Sequence, residues 1–200
     1  MILPLFPLNT VLFPGCVLDL QLFEARYLDM IARCMKQGTG FGVVCILEGG
    51  EAGNAPKDVA RIGCEALIRD FQKQDNGLLG IRVEGGRRFE VLSTELQRDQ
   101  LLVAQVEWLD ELPEQPLQEE DQDLLALLKA LAEHPMVAAL NMNVEVAGQQ
   151  LLANRLAYLL PFAEEDKIEL LQVDDPQQRL DGIQVLLDEM QGELQGELLN

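Results

Sequence analysis

The chain has 200 residues, 48% apolar and 5% aromatic, with 15 Lys/Arg against 34 Asp/Glu and a formal net charge of −19. A chain of this length buries about 70% of its unfolded surface, so it needs no metal or disulfide staple, and it nowhere offers the roughly 20 unbroken apolar residues of a membrane span. Charge is uneven: residues 1–106 hold 11 basic and 13 acidic side chains (net −2), residues 107–200 hold 4 and 21 (net −17), and so acidic a half repels phosphate backbones and anionic lipid.

No charged side chain precedes Asp19, yet Pro4, Pro7 and Pro14 rule out one long helix, because an interior proline costs about 3 kcal/mol and removes a donor. The opening is therefore read as short buried strands and turns. It also lacks the basic start and unbroken apolar core of a secretory signal. Strands are predicted at Leu3–Phe6, Val17–Leu22 and Phe41–Leu47. Between the last two, Phe23, Tyr27, Ile31 and Cys34 recur at helical spacing. Asp29 and Arg33 lie one turn apart on the outer face, and Gly38 supplies a stop. A Gly-rich loop over Glu48–Pro56 leads into a meander. Asp75-Asn76-Gly77 predicts a type I′ hairpin turn, flanked by strands at Ala60–Gln72 and Leu78–Val83, then Arg88–Leu96 and Leu101–Leu109. Cys16, Cys34, Cys45 and Cys64 form no Cys-x-x-Cys pair and read as buried thiols in a reducing cytosol.

Character changes at Asp110–Gln122 (DELPEQPLQEEDQ), an acidic, proline-containing linker or helix approach. Everything beyond reads helical. Leu124, Leu127, Leu128 and Leu131 form one face, ended by Pro135, and Leu152, Leu156 and Leu159 another, ended by Pro161. A short helix follows at Glu164–Gln172. Asp175-Pro176 then starts a last helix, with Asp as N-cap and Pro in the first turn. That helix aligns Leu180, Ile183, Leu187, Met190, Leu194 and Leu198, a row assigned to bundle packing. Gly192 and Gly196, each costing about 1 kcal/mol in a helix, predict fraying of its final turns. The acid runs Glu119–Asp121 and Glu164–Asp166 read as exposed helix starts complementing the dipole.

A family resemblance rests on several motifs. Pro4-Leu5-Phe6-Pro7-Leu8, Leu12-Phe13-Pro14-Gly15 and Leu22-Phe23-Glu24-Ala25-Arg26-Tyr27-Leu28 are similar to the opening of the Lon protease N-terminal, substrate-binding domain. Ile62-Gly63-Cys64-Glu65-Ala66 and Gly85-Gly86-Arg87-Arg88-Phe89-Glu90-Val91 resemble its later signatures, and Ala153–Leu187, with Leu170-Leu171-Gln172 and Arg179-Leu180, its helical half. The resemblance implies an α+β fold: a PUA-like twisted β-barrel or sheet subdomain with one helix (1–110), the linker (111–122) and a helical-bundle subdomain (123–200). It also implies a strand at Arg88-Phe89 after a Gly-Gly turn, and a stand-alone form without ATPase and protease domains.

The chemistry of those absent domains is missing from the residues. A P-loop needs Gly-Lys-Ser/Thr, and no such tripeptide occurs. Lon proteolysis uses a serine activated by lysine, and Ser93, the one serine, falls in a strand. His134 reads as a cationic or capping group at a helix end, and no cofactor or metal is expected. Arg88 is assigned a structural ion pair with Glu24 or another buried acid, and Glu24, Arg26 and Tyr27 are assigned to locking the first helix onto the sheet. With Arg87 and Phe89 these are the candidate structural or contact residues. The expected function is non-catalytic binding of protein or peptide partners, unfolded polypeptides among them, in the cytosol, through exposed strand edges or an apolar groove between the halves. Self-association through the last helix is a further expectation, with Leu194, Leu198 and Leu199 as its surface. The rivals are an RNA-binding PUA-like protein, which needs a basic, aromatic-bearing face, and an accessory subunit of a separate ATP-dependent protease.

Overall fold

Two prolines in the first strand would ordinarily confine it to a sheet edge, because each lacks a backbone donor. A computed structural model describes residues 1–197, with side chains through Gly192, and shows how the strand is accommodated. In β1 (Ile2–Leu8), residues 2–4 pair antiparallel with β6 (Leu102–Trp108), whereas Leu5–Leu8 pair parallel with β3 (Phe41–Glu48). Each half is thus laddered on one side, leaving the other open for Pro4 and Pro7.

The remaining strands are β2 (Val17–Leu22), β4 (Asp58–Lys73) and β5 (Leu79–Leu96), in a mixed sheet of order β2-β5-β4-β3-β1-β6. β5 pairs with β2 through Leu79–Glu84 and with β6 through Phe89–Leu96, so the run of strands returns to β5. The expected break at Gly85-Gly86 does not occur: both glycines lie inside one 18-residue strand. The Phe13–Cys16 turn packs on β5 there, with Gly15 N donating to Gly85 O at 2.9 Å and Gly85 N to Cys16 O at 2.8 Å. A Cβ on Gly85 would stand 2.1 Å from Phe13 O, so the glycine permits close backbone approach rather than a turn.

The Asp75-Asn76-Gly77 hairpin also differs in type. Only Gly77 has positive φ (84°), and Gly77 N donates to Gln74 O at 2.9 Å. This is a type I turn followed by a left-handed glycine; type I′ would require positive φ at both central residues. Helix α1 (Ala25–Gln37) ends at Gly38, φ 66°. Its buried face is Tyr27, Met30, Ile31 and Cys34; Phe23 precedes the helix and is 61% exposed, a correction to the predicted stripe. Phe89 and Leu5 anchor the sheet core, and all four cysteines are buried free thiols.

The chain divides into two compact units, Met1–Glu111 and a second beginning at Leu112. In the second, a 3-10 turn (Glu119–Asp121) leads to α2 (Gln122–Glu133), α3 (Pro135–Ala138), α4 (Gln149–Leu159), α5 (Glu164–Gln172) and α6 (Pro176–Glu197). His134 Nδ1 accepts from Met136 N at 3.3 Å, and Asp175 Oδ1 accepts from Gln177 N at 2.8 Å. The acidic segment before α2 is anchored: Glu114 accepts from Gln150 N at 2.6 Å, and Gln115 O from Gln149 N at 2.8 Å. Asp121, expected to be exposed with its acidic neighbours, is buried. It accepts from Gln118 N at 2.7 Å and Gln149 Nε2 at 2.9 Å, which explains its place inside. Arg179 is fully buried, donating to Leu170 O, Val173 O and Asn154 Oδ1. The backbone of α6 stays helical past Gly192, where flanking Glu, Leu and Gln favour helix. Leu198 and Leu199 lie outside the described residues, as does the Leu194 side chain.

Candidate functional site

Four of the six candidate residues are built into the first unit's framework. Glu24 is the N-terminal flanking residue of α1, and its carboxylate meets the Arg26 guanidinium at 2.9 Å. Arg26 is buried. Its Nη1 donates to Gln100 O at 2.9 Å, in the turn joining β5 and β6, and its guanidinium lies 4.7 Å from the centre of the Tyr27 ring. Tyr27 packs on Phe6 at 4.0 Å. Burial pushes the Tyr27 hydroxyl up from its usual range, opposed by Arg26 and reinforced by Glu24 and Glu51. Arg88 has no exposed surface and pairs with Glu111 at 2.8 Å, rather than with Glu24. The reason is topological: Glu24 sits at the α1 start, whereas Leu109 N donates to Arg88 O at 3.0 Å and brings Glu111 alongside.

The other two candidates meet at Trp108. Phe89 opposes Trp108 across β5 and β6, edge to face at 5.9 Å. Arg87 stacks on the outer side of the same indole, its guanidinium carbon 4.2 Å from the ring centre. Trp108 is the one tryptophan of the chain, and its Nε1 donates to Met1 Sδ at 3.3 Å. Met1, Arg87 and Trp108 line a groove of about 640 Å³, together with α1 (Met30, Arg33, Cys34) and residues of β1, β4 and β6. A second depression, about 340 Å³, shares Cys34, Gly38, Thr39 and Leu67 with the first and continues to Phe71, 55% exposed. The trough is thus open-ended and mainly apolar, with Ile2 (72% exposed) on its rim. All of it lies within the first unit.

Charge in the groove is sparse. Glu65 is its one acid, 3.8 Å from Arg87, beyond hydrogen-bond length. Arg33 makes no ion pair among the described residues. Burial pushes the Cys34 thiol up, with Thr39 and Arg33 opposing. Burial also holds the Cys64 thiol well above its usual range, with Cys16, Glu111 and Glu65 adding to the effect. The sequence reading missed Trp108. Its signal was a lone aromatic at a strand end, but only the β5–β6 register shows that it faces Phe89.

Ser93 on β5 lines a small depression with Lys57, but Lys57 is exposed and its Nζ sits 2.8 Å from Glu48 Oε1. Among the described residues no cluster of His, Cys, Asp and Glu could hold a metal ion, and no helix is long and apolar enough to cross a membrane.

Comparison with known proteins places this architecture. A crystal structure titled Lon N-terminal domain protein from Xanthomonas campestris matches with a TM-score of 0.74 and 35% identity, over 94% of this chain and 98% of that one. The N-terminal domain of a Mycobacterium avium complex Lon protease matches at 0.57 and 20% identity over 94% and 97%, a likeness of fold. The Lon protease of Cytophaga hutchinsonii is 25% identical over 196 residues, 94% of this chain and 24% of that protein. That of Flavobacterium johnsoniae is 27% identical over 132 residues, 66% of this chain and 16% of that protein. The chain thus spans about a quarter or less of the length of these two Lon proteases. The family profile of the ATP-dependent protease La (LON) substrate-binding domain matches residues 2–189, and the chain belongs to that family.

Proposed function

We propose that this protein binds polypeptide without acting on it chemically, taking extended apolar segments into the groove beside Trp108. The observation that carries the reading is the mainly apolar trough lined by a stacked Arg87–Trp108 pair. Tryptophan and arginine are the side chains that most often dominate binding energy at protein interfaces, and an open trough suits an extended chain better than a compact ligand. Membership of a substrate-binding domain family supports the same role. The reading places the protein in the cytosol, recognising or holding unfolded chains or acting as adaptor to a separate ATP-dependent protease.

The test is titration of the full chain with a reduced, carboxymethylated protein that cannot fold, followed by calorimetry. Saturable binding that weakens about tenfold or more in Trp108→Ala is expected, as for loss of an interface hot spot. Binding unchanged by that substitution would remove the groove from the account. Co-purification of one stoichiometric ATPase-protease would specify the adaptor role.

A further inference from the structure

We infer that the groove selects apolar segments that carry a side-chain carboxylate, which the Arg33 and Arg87 guanidinium groups receive; this rests on the polypeptide-binding reading above. In a chain of net charge −19, a ligand groove lined by two arginines and one acid is a local reversal of sign. Neither arginine donates a hydrogen bond among the described residues, and the contact of Arg87 with Glu65 is 3.8 Å. The contact with Trp108 holds the Arg87 guanidinium in place, and its one ion-pair partner among the described residues, Glu65, stays beyond hydrogen-bond length from Nε. A planar guanidinium fixed in this way matches a carboxylate bidentately, at little conformational cost.

The carboxylate is assigned to a side chain rather than a chain end because the trough runs on past Arg33 toward Phe71. The ligand backbone therefore continues beyond Arg33, past Arg69 and Asp70 to Phe71. RNA is disfavoured as the occupant. The trough carries two acids, Glu65 and Asp70, and its two aromatic side chains, Trp108 and Phe71, line separate depressions, whereas single strands require successive platforms and a basic track.

Two end-blocked heptapeptides, identical and apolar except for a central Glu or Gln, separate the ideas. They are titrated at low salt into the full chain and into an Arg33→Gln/Arg87→Gln variant, by calorimetry and Trp108 fluorescence. Both arginines lie on the surface, and a melting curve verifies that the variant is folded. The Glu peptide should bind about tenfold more tightly than the Gln peptide, as expected for a charge-assisted pair. The variant should abolish that ratio, so that the Glu and Gln peptides bind it alike. Equal binding of both peptides to the parent chain overturns the carboxylate inference and leaves the apolar groove standing. Failure of both to bind defeats the polypeptide reading itself. A Gln peptide with a free C-terminus that matches the Glu peptide, or an RNA oligomer that displaces it, would also overturn the assignment.

Discussion

Arg26 and Arg88 are both buried guanidinium groups, but they join different parts of the first unit. Arg26 ties the start of α1 to the β5–β6 turn through Gln100 O, and Arg88 ties mid-β5 to Glu111. Arg26→Ala should lower unfolding stability by about 1–3 kcal/mol, the scale of a charged hydrogen bond lost inside a protein. Peptide affinity should stay within twofold, because Arg26 does not line the groove; a chemical melt and a titration read the two effects separately. Loss of binding at unchanged stability would make Arg26 a contact residue. Three buried groups set a pH limit. The Cys34 and Cys64 thiols and the Tyr27 hydroxyl all ionise less readily folded than unfolded. Their contribution is therefore complete below the unfolded thiol value of about 8.5 and falls as pH rises toward the folded values, by up to about 1.4 kcal/mol per pH unit per group. The urea midpoint should drop between pH 8 and 10, and Cys64→Ala should flatten that drop; an unchanged slope would remove Cys64 from the account. The burial of these cysteines was legible from their type and spacing. The partner of Arg88 was not, because no local pattern relates position 88 to position 111.

Elements with local rules were the legible ones. The helix ends at Gly38 and Gln172 and the Asp175 cap follow from chemistry within a few residues, and the structure has them there. Gly85-Gly86 was misread as a turn because the feature that requires glycine, the Phe13–Cys16 turn, is some seventy residues away in sequence. Substitution should separate these cases. Gly85→Ala drives a Cβ into the Phe13 backbone and should cost about 3 kcal/mol or more, whereas Gly86→Ala meets the movable Glu65 and Leu67 side chains and should cost less. Gly192→Ala, with nothing within 4 Å, should stabilise α6 by about 0.5–1 kcal/mol. Thermal melts rank all three. Equal losses for Gly85→Ala and Gly86→Ala would show that the Phe13 contact does not decide the position.

For the molecule as a whole, the first compact unit runs to Glu111, and Arg88 depends on that residue. A fragment of residues 1–113 should fold alone and bind the groove peptides, since every groove residue lies within it. Within that fragment, Glu111→Gln should cost about 3 kcal/mol by leaving a buried guanidinium without its counter-charge. A fragment without sheet signal in circular dichroism would show that the first unit needs the helical one.

The two-sided pairing of β1 also bears on how the protein is made. Its parallel neighbour β3 is complete by residue 48, but its antiparallel neighbour β6 only at residue 108. During synthesis the first strand therefore waits, with Ile2–Pro4 unpaired, for about a hundred residues to emerge. Such long-range pairing is slow to close. In the growing chain, the apolar opening is thus itself a stretch of the kind that binders of unfolded protein recognise.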